Sequence, residues 1–491
     1  LSYQQATAGL SVDVAGGTVS SGTETDSIAN FERYILGSGN DTFTGGTSAV
    51  TVTGGVGNDS ITGSGADDVF LVGVVDGTDT IDGGAGTDTV RARSANTSVN
   101  WSSLSNVEAF DGAGLANFRI RGTAGADTID LSAMTLADVE RVDGGAGNDS
   151  ITGSAGNDRL FGGTGDDTID GGSGDDTFLM AFGGGVDSIV GGSGTDTLRA
   201  EANSVSINWT RVAGVEAADG GGFLNFRLTG TAGGDVLDFT GVTLNGVERI
   251  DGAAGNDLIT GSAGNDRLFG GAGNDTMDGG DGDDVFLMAF GSGTDSITGG
   301  TGSDTVRAEA NSVTVDWTRV SGVEAADGGA FTNFRLAGTA AGDVMDFTGV
   351  TLNAVERIDG GSGADSITGS AGADRILGNA GADLLAGGGG ADTFLYALTT
   401  QSTTAAMDRI TDWAAGDLID LSAIDASTVL AGNQAFSWIG NGAFTNVAGQ
   451  LRAFDNGAST FVQADTNGDG TADLVIRIDG VQALTAADFA L

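Results

Sequence analysis

A nine-residue repeat constrains the fold more than any other feature of the sequence. Four units, GGAGNDSIT, GSAGNDRLF, GGTGDDTID and GGSGDDTFL, run without a gap from Gly144 to Leu179. They follow the pattern G-G-x-G-x-D-x-U-x, where U is apolar, which returns at 252–287, at 360–395 and, less regularly, at 36–71. Such a short tandem repeat predicts a solenoid, because each unit can bury its apolar side chain only against its neighbours.

A longer repeat of 108 residues contains the short one. RAEANSVSINWTRVAGVEAADG at 199–220 returns as RAEANSVTVDWTRVSGVEAADG at 307–328 and, more weakly, as RARSANTSVNWSSLSNVEAFDG at 91–112. Because 108 is a multiple of nine, whole units of one scaffold can have been duplicated. We expect an N-terminal strand segment or remnant of an upstream region at 1–34, repeat copies at 35–142, 143–250 and 251–358, a final roll at 359–398, and a C-terminal cap with a secretion signal at 399–491.

Each part of the nonapeptide has a physical role. Its glycines permit the positive φ angles of a tight turn, in which backbone carbonyls can point inward. The following x-U-x is a very short strand whose single apolar side chain, such as Ile151 or Phe178, enters the core. Two nonapeptides make one coil. The sequence therefore predicts an all-β chain, a right-handed parallel β-roll or β-helix solenoid with a C-terminal β cap.

The aspartates of the repeat point to a hard cation. Stacked coils bring successive turns together, where facing carboxylates repel unless a cation lies between them, and calcium suits flexible cages made only of oxygen. We therefore predict multiple calcium ions, bound at the Asp positions of the tandem units and of the single units that follow them. These positions are Asp41, Asp59, Asp68, Asp88, Asp149, Asp158, Asp167, Asp176, Asp196, Asp257, Asp266, Asp275, Asp284, Asp304, Asp365, Asp374, Asp383 and Asp392.

Some units match the pattern less well. Val50 replaces the expected Asp in GGTSAVTVT, so we expect a weak or missing site there. Asp127, Asp235 and Asp343 belong to single units without a tandem neighbour, so a plain turn and a ligand are equally good interpretations.

Near the C-terminus, DTNGDGTAD has the alternating spacing of an EF-hand loop at Asp465, Asn467 and Asp469. Ile476 stands where that loop needs its final Glu, so calcium binding competes with a simple hairpin turn. The repeated Trp101, Trp209 and Trp317 are expected to pack in the core or in a small β insert rather than to stack on sugars.

Composition excludes much chemistry. The chain has no His and no Cys, which rules out imidazole bases, thiolate nucleophiles and zinc sites built from these residues. Its formal charge of −47 disfavours binding to nucleic acid or to anionic lipid, and no apolar run is long enough for a membrane span. The natural partners of such a chain are cations.

The nonapeptides resemble those of the RTX family. The tail, from GGGGADTFLY at 387 through MDRITDWAAGDLIDLSAIDA to the terminal DFAL, is similar to the C-terminal module of serralysin-type secreted proteases. This resemblance implies a calcium-binding β-roll, export through a bacterial type I channel and folding outside the cell. The chain departs from serralysins in lacking the H-E-x-x-H zinc helix, so protease activity of that kind is excluded in these residues.

The repeats and the lack of catalytic residue types favour an extracellular structural protein. We expect a non-enzymatic protein of surface-layer or matrix type, resembling bacterial surface-layer proteins built from RTX rolls. Its partners would be calcium, further copies of itself in a lattice or filament, and a cell-surface polysaccharide. The alternative is a folding, secretion or binding module of a larger secreted enzyme or adhesin.

Overall fold

The computed structural model describes all residues, 1–491, and is built almost entirely from short β-strands. The helices are single 3₁₀ turns at Trp101–Ser103, Trp209–Arg211, Trp317–Arg319, Thr399–Gln401 and Ala486–Asp488. The chain forms two compact units. Unit 1 comprises 1–229 with 241–249, and unit 2 comprises 230–240 with 250–491.

In the sheets of unit 1, each strand is hydrogen-bonded to the next. The first sheet has the strand order Leu104–Ser105, Thr80–Asp82, Ser60–Thr62, Thr42–Thr44, Ser11–Asp13, Thr18–Ser21, Glu24–Ser27. The second has the order Thr135–Ala137, Ala109–Asp111, Thr89–Ala92, Val69–Val72, Thr51–Thr53, Arg33–Ile35. The next two are Ser98–Asn100, Arg119–Arg121, Arg141–Ala146, Arg159–Thr164, Thr177–Met180, Thr197–Ala200, Ala217–Asp219, Thr243–Asn245; and Thr128–Asp130, Ser150–Thr152, Thr168–Asp170, Ser188–Val190, Val212–Ala213. The strands Ser206–Asn208 and Arg227–Thr229 also pair in parallel.

Unit 2 repeats this organisation. One set of hydrogen-bonded strands is Arg249–Asp251, Arg267–Phe269, Val285–Met288, Thr305–Ala308, Ala325–Asp327, Thr351–Asn353, and its first strand begins with the last residue of unit 1. A second is Val236–Asp238, Leu258–Thr260, Thr276–Asp281, Ser296–Thr301, Val320–Ser321. The other two are Thr314–Asp316, Arg335–Ala337, Arg357–Asp359, Arg375–Leu377, Thr393–Leu395, Leu418–Asp420, Phe489–Ala490; and Val344–Asp346, Ser366–Thr368, Leu384–Ala386, Asp408–Ile410, Leu474–Asp479, Ser459–Asp465, Gln450–Asp455, Ser437–Trp438.

The strands stack in register with their neighbours, as a solenoid requires. In the strand Ser150–Thr152 only the central Ile151 is buried, as the x-U-x pattern predicts. Parallel pairing then aligns such residues in columns through the core, for example Ile129, Ile151, Ile169 and Ile189. Each is at most 1% exposed, so the apolar column excludes water along the axis. The predicted all-β parallel solenoid is confirmed.

Coil length separates the nonapeptide tracts from the segments between them. In the tract 143–178, equivalent residues of successive coils are 18 apart, which confirms that two nonapeptides make one coil. In the preceding segment they are 22 apart at Asp127 and Asp149. The segment strands pair in parallel with the same sheets. The segments are therefore further coils with longer turns, not projecting inserts.

Antiparallel strands occur near both ends of the chain. In unit 1, Ser11–Asp13 pairs antiparallel with Thr18–Ser21 and in parallel with Thr42–Thr44. In unit 2, Ser459–Asp465 pairs antiparallel with both Gln450–Asp455 and Leu474–Asp479. The last of these strands continues the roll by pairing in parallel with Asp408–Ile410, which gives the predicted C-terminal β cap.

No helix has the length and apolar character needed to cross a membrane.

Candidate calcium-binding turns

The predicted aspartates of the roll form hydrogen-bonded rows along the turns. The backbone N–H of Asp149 donates to Oδ1 of Asp167 on the next coil, at 2.8 Å. The N–H of Asp158 donates in the same way to Oδ1 of Asp176, at 2.9 Å. We call each such row a carboxylate ladder, in which one side chain of every turn is fixed by the backbone of the turn before it.

Eight ladders contain all eighteen predicted roll positions. Those of unit 1 are Asp41–Asp59–Asp79, Asp68–Asp88–Glu108, Asp127–Asp149–Asp167–Asp187 and Asp158–Asp176–Asp196–Glu216. Those of unit 2 are Asp235–Asp257–Asp275–Asp295, Asp266–Asp284–Asp304–Glu324, Asp343–Asp365–Asp383–Asp408 and Asp374–Asp392–Asp417.

In twelve of the eighteen predicted positions the second carboxylate oxygen has no partner. Each of these aspartates is at most 2% exposed, yet its Oδ2 atom receives no hydrogen bond. A buried charged oxygen without a donor is strongly unfavourable. The predicted positions with this unpaired oxygen are Asp59, Asp88, Asp149, Asp167, Asp176, Asp196, Asp257, Asp275, Asp284, Asp304, Asp365 and Asp383.

The glycines of the repeat create the space around these oxygens. A Cβ atom on Gly162 would overlap Oδ2 of Asp167, so the first position of the repeat must lack a side chain. Gly163 has a φ of +112°, and a Cβ there would overlap the carbonyl oxygen of Gly145 on the preceding coil. The turn is therefore lined by backbone and carboxylate oxygens at close range.

Burial and repulsion between neighbouring carboxylates make ionisation of the ladder aspartates unfavourable. Burial and, after it, the charges of Asp158, Asp196 and Asp175 together raise the pKa of Asp176 to about 7. Asp284 in unit 2 has the same pKa of about 7 for the same reasons. Since these groups are anionic above that pH, the fold without bound cations carries uncompensated negative charge along each ladder.

These residues fit calcium as part of a mixed set of ligands. No three acidic side chains in the chain converge into a carboxylate cage. The unpaired Oδ2 atoms supply one strong oxygen ligand per turn, so backbone carbonyls of the glycine turns must supply others. Calcium accepts such mixed sets of carboxylate and carbonyl oxygens at flexible geometry. The assignment of individual aspartates as ligands stays a prediction.

Family comparisons agree with this chemistry. Residues 35–70, 76–96, 143–178, 183–203, 246–286 and 291–312 match the RTX calcium-binding nonapeptide repeat (4 copies). Residues 327–491 match the peptidase M10 serralysin C-terminal domain. The chain is an RTX repeat protein. RTX nonapeptides bind multiple calcium ions, and both matches together indicate a calcium-binding protein secreted by the type I route.

Solved structures similar to this RTX protein overlap with parts of it. The solution structures of the AlgE6R2 and AlgE6R3 subunits of the Azotobacter vinelandii mannuronan C5-epimerase are both 27% identical to it. They cover 31% and 34% of this chain and 89% and 78% of their own, with TM-scores of 0.23 and 0.20. The extracellular lipase LipA from Serratia marcescens is 18% identical over 50% of this chain and 43% of the lipase, with a TM-score of 0.22. No curated protein matches.

The RTX ladders contain acidic residues that the nonapeptide pattern did not reveal. Each ladder ends on a carboxylate outside the repeat, for example Asp187 or Glu216, whose oxygen accepts the N–H of the preceding Asp. Asp187 lies in GVDSI and Glu216 in GVEAA, and each is 20 residues after its ladder neighbour rather than 18. A search that allowed longer coils, and Glu in place of Asp, could have found these positions.

The single units do have neighbours in the fold. The N–H of Asp127 donates to Oδ1 of Asp149, although the two residues are 22 apart in sequence. Asp235 and Asp343 make the equivalent bonds to Asp257 and Asp365. The expectation that these units stand alone is wrong, because the longer coil between them still brings their turns into register. At Val50, by contrast, only a backbone N–H faces Asp68.

The EF-hand-like segment forms the turn of an antiparallel hairpin between Ser459–Asp465 and Leu474–Asp479. Both carboxylate oxygens of Asp465 accept backbone N–H groups, from Gly468 at 2.7 Å and from Gly470 at 2.9 Å. Asn467 and Asp469 likewise accept bonds from amides two residues on. Apart from Oδ2 of the exposed Asp469, their oxygens already have donors, unlike the unpaired oxygens of the ladders. Calcium binding by these three residues stays a prediction.

Two of the three repeated tryptophans are buried, as expected from the sequence, and Trp101 is half-buried. Trp209 and Trp317 are 8% and 7% exposed. Trp317 packs against Phe347, with ring centroids 5.1 Å apart. The indole N–H of Trp101 donates to the carbonyl oxygen of Thr128 at 2.7 Å. Both contacts join residues within one segment.

Proposed function

We propose that the chain is an extracellular structural protein, of surface-layer or matrix type, whose folding and assembly depend on calcium. The observation that carries this proposal is the series of buried Oδ2 atoms without partners, which recur in seven of the eight ladders and in both units. A chain that buries so many carboxylates away from water needs bound cations before folding is favourable.

Like-charge repulsion provides the switch between export and folding. With calcium scarce, ladder neighbours such as Asp158, Asp176 and Asp196 repel one another, which favours the extended chain that a secretion channel can pass. Calcium bound to the turns would supply the missing positive charge. Because such binding requires the folded form, the stability it adds grows with the logarithm of the free calcium concentration.

Exposed carboxylates beside the ladders support self-association. Asp166, Asp175 and Asp283 precede buried ladder aspartates and lie on the surface. They add to a formal charge of −47, so two copies of the chain approach each other closely only when cations lie between them. This supports a lattice or filament that forms with calcium. The buried Trp209 and Trp317 offer no indole face to a polysaccharide, and binding of a cell-surface polysaccharide stays a prediction from sequence.

We propose no catalytic role for these residues. The acidic groups with raised pKa values belong to the ladders, where burial and neighbouring carboxylates account for the raised pKa. The chain has neither His nor Cys to complete a nucleophile–base pair.

The assembly proposal can be tested by size-exclusion chromatography with light scattering and by electron microscopy. Protein stripped with EDTA is compared with the same sample after addition of calcium, and magnesium at equal concentration is the control. We expect ordered sheets or fibres with calcium only. A chain that folds with calcium but stays monomeric at every concentration contradicts the structural role.

The match of 327–491 to the serralysin C-terminal domain favours a second candidate. In this alternative, the chain is the folding and secretion module of a larger secreted enzyme or adhesin. Calcium-dependent folding without assembly, together with a further domain in the complete gene product, is the result that this candidate predicts.

A further inference from the structure

The ladder turns adopt two different conformations. At Asp158, the N–H of Ser154 donates to Oδ2 at 2.6 Å and the Ser154 hydroxyl donates to Oδ1 at 3.1 Å. We call this a closed turn, because the carboxylate is bound by the residue four positions before it in its own turn. The closed turns pair Gly37 with Asp41, Ser64 with Asp68, Thr123 with Asp127, Ser154 with Asp158, Thr231 with Asp235, Ser262 with Asp266, Thr339 with Asp343 and Ser370 with Asp374.

The other repeat turns are open. Four residues before Asp176, Gly172 has a φ of +92°, and its N–H makes no bond to the carboxylate, whose Oδ2 stays unpaired. Every unpaired predicted Oδ2 has a residue of positive φ at this position. These residues are Gly55, Gly84, Gly145, Gly163, Gly172, Gly192, Ala253, Gly271, Gly280, Gly300, Gly361 and Asn379. The residue four before Asp392, Gly388, also has a positive φ.

Closed turns occur at one place only, the start of a ladder. Each of the eight ladders begins with a closed turn, and the repeat positions that follow in it are open turns. The first aspartate of a ladder accepts no N–H from an acidic residue on the coil before it. From outside their own turns, Asp41 and Asp68, for example, accept only the backbone N–H groups of Leu10 and Val50.

We propose that the closed turns are calcium-independent starting points of the ladders, and that calcium is bound by the open turns that follow them. The φ angle of the second residue of the repeat distinguishes the two states. Ser or Thr supplies an N–H and a hydroxyl that satisfy the carboxylate, Gly37 supplies its N–H alone, and a residue with positive φ turns its N–H away. This inference rests on the proposed function, because it assumes that the aspartates of the roll are the calcium ligands.

The closed turn at Asp158 and the open turn at Asp176 allow a matched test, since both lie in one ladder. The same pair recurs at Asp266 and Asp284. We compare the closed-turn double variant, D158N with D266N, and the open-turn double variant, D176N with D284N. Calcium per chain is measured by elemental mass spectrometry after equilibrium dialysis, with circular dichroism to verify folding.

We expect the closed-turn variant to keep all its calcium and the open-turn variant to lose at least one ion per substituted turn. Equal losses in both variants would overturn the inference but leave calcium binding by the roll intact. No loss in either variant would overturn the ligand assignment itself, and the inference with it.

A milder pair of substitutions covers the case in which the closed-turn variant does not fold. S154A with S262A removes the hydroxyl donors but keeps the backbone donors and the aspartates. We expect unchanged calcium per chain and a lower thermal midpoint in EDTA. Loss of ions from this variant contradicts a calcium-independent closed turn.

Discussion

Two adjacent regions of unit 1, the segment 91–142 and the tract 143–178, build coils of the same parallel type with different turns. In the segment, left-handed positions are held by Asn96, Asn106 and Asn117, with φ between +51° and +61°. Asn tolerates this region, whereas the tract turns at Gly145 and Gly163 have φ near +110°, which L residues rarely adopt. The φ angles of the tract turns thus require glycine, whereas those of the segment are also adopted by Asn, Ala and Asp.

The polar groups of the two regions are satisfied differently as well. In the segment, the N–H of Gly114 donates to Oδ2 of Asp138 at 2.8 Å, and Arg91 pairs with Asp111 at 2.7 Å. In the tract, Asp149, Asp167 and Asp176 each retain an unpaired buried oxygen. The polar groups of a solenoid turn can therefore be satisfied either by other groups of the protein or by a bound ion. Only turns of the second kind make folding depend on calcium.

Removing calcium should produce the largest difference between the regions. In EDTA we expect amides of 143–178 to lose most of their protection against hydrogen exchange, because the ladder carboxylates then repel one another. Protection in 91–142 should fall less, since its turns have internal partners. Hydrogen exchange followed by mass spectrometry gives both regions in one experiment. Equal protection of the tract with and without calcium contradicts the account.

Acid should partly replace calcium in the tract. The pKa of Asp176 is raised to about 7 by burial and by neighbouring carboxylates, so the fold binds a proton more tightly than the unfolded chain does. The stability of the calcium-free fold is therefore greatest below the unfolded pKa of about 4 and is lost as the pH rises through about 7. Circular dichroism in EDTA should show more β-structure at pH 5 than at pH 8, and the reverse order contradicts this prediction.

Matched glycine substitutions should separate the two kinds of turn. Gly165 in the tract has a φ of +125°, and a Cβ there would overlap the carbonyl oxygen of Gly147. Strain of this kind costs about 1–3 kcal/mol, so G165A should lower the urea midpoint in saturating calcium. The control is G114N in the segment, where φ is +71° and nothing lies within 4 Å of a Cβ. An equal shift of the urea midpoint for both variants would show that the tract turns do not depend on glycine more than the segment turns do.

The smallest effect is expected from the ion pair of the segment. Arg91 is 45% exposed where it meets Asp111, and exposed pairs contribute about 0–1 kcal/mol. R91A should therefore shift the urea midpoint slightly, and by the same amount at low and at saturating calcium. A shift that depends on calcium would show that the segment turns also depend on the ion.

The repeat pattern predicted much of this architecture because nine residues form half a coil. It identified the core column through Ile151 and Ile169 and the ladder aspartates of the tracts. It missed Asp187 because the half-coil after Asp176 is longer, and it missed Glu216 because a different residue type continues the ladder. The Ser at position 154 was visible in the sequence, but its meaning depends on the φ angle of that position, which a residue pattern does not state.

The most direct test of calcium binding by the ladders is an anomalous difference map from crystals of the chain grown in calcium. We expect peaks beside the unpaired Oδ2 atoms of open turns such as those at Asp149, Asp167 and Asp176. We expect no peak at the closed turn of Asp158. A folded roll without anomalous density at the open turns would contradict calcium binding by the carboxylate ladders.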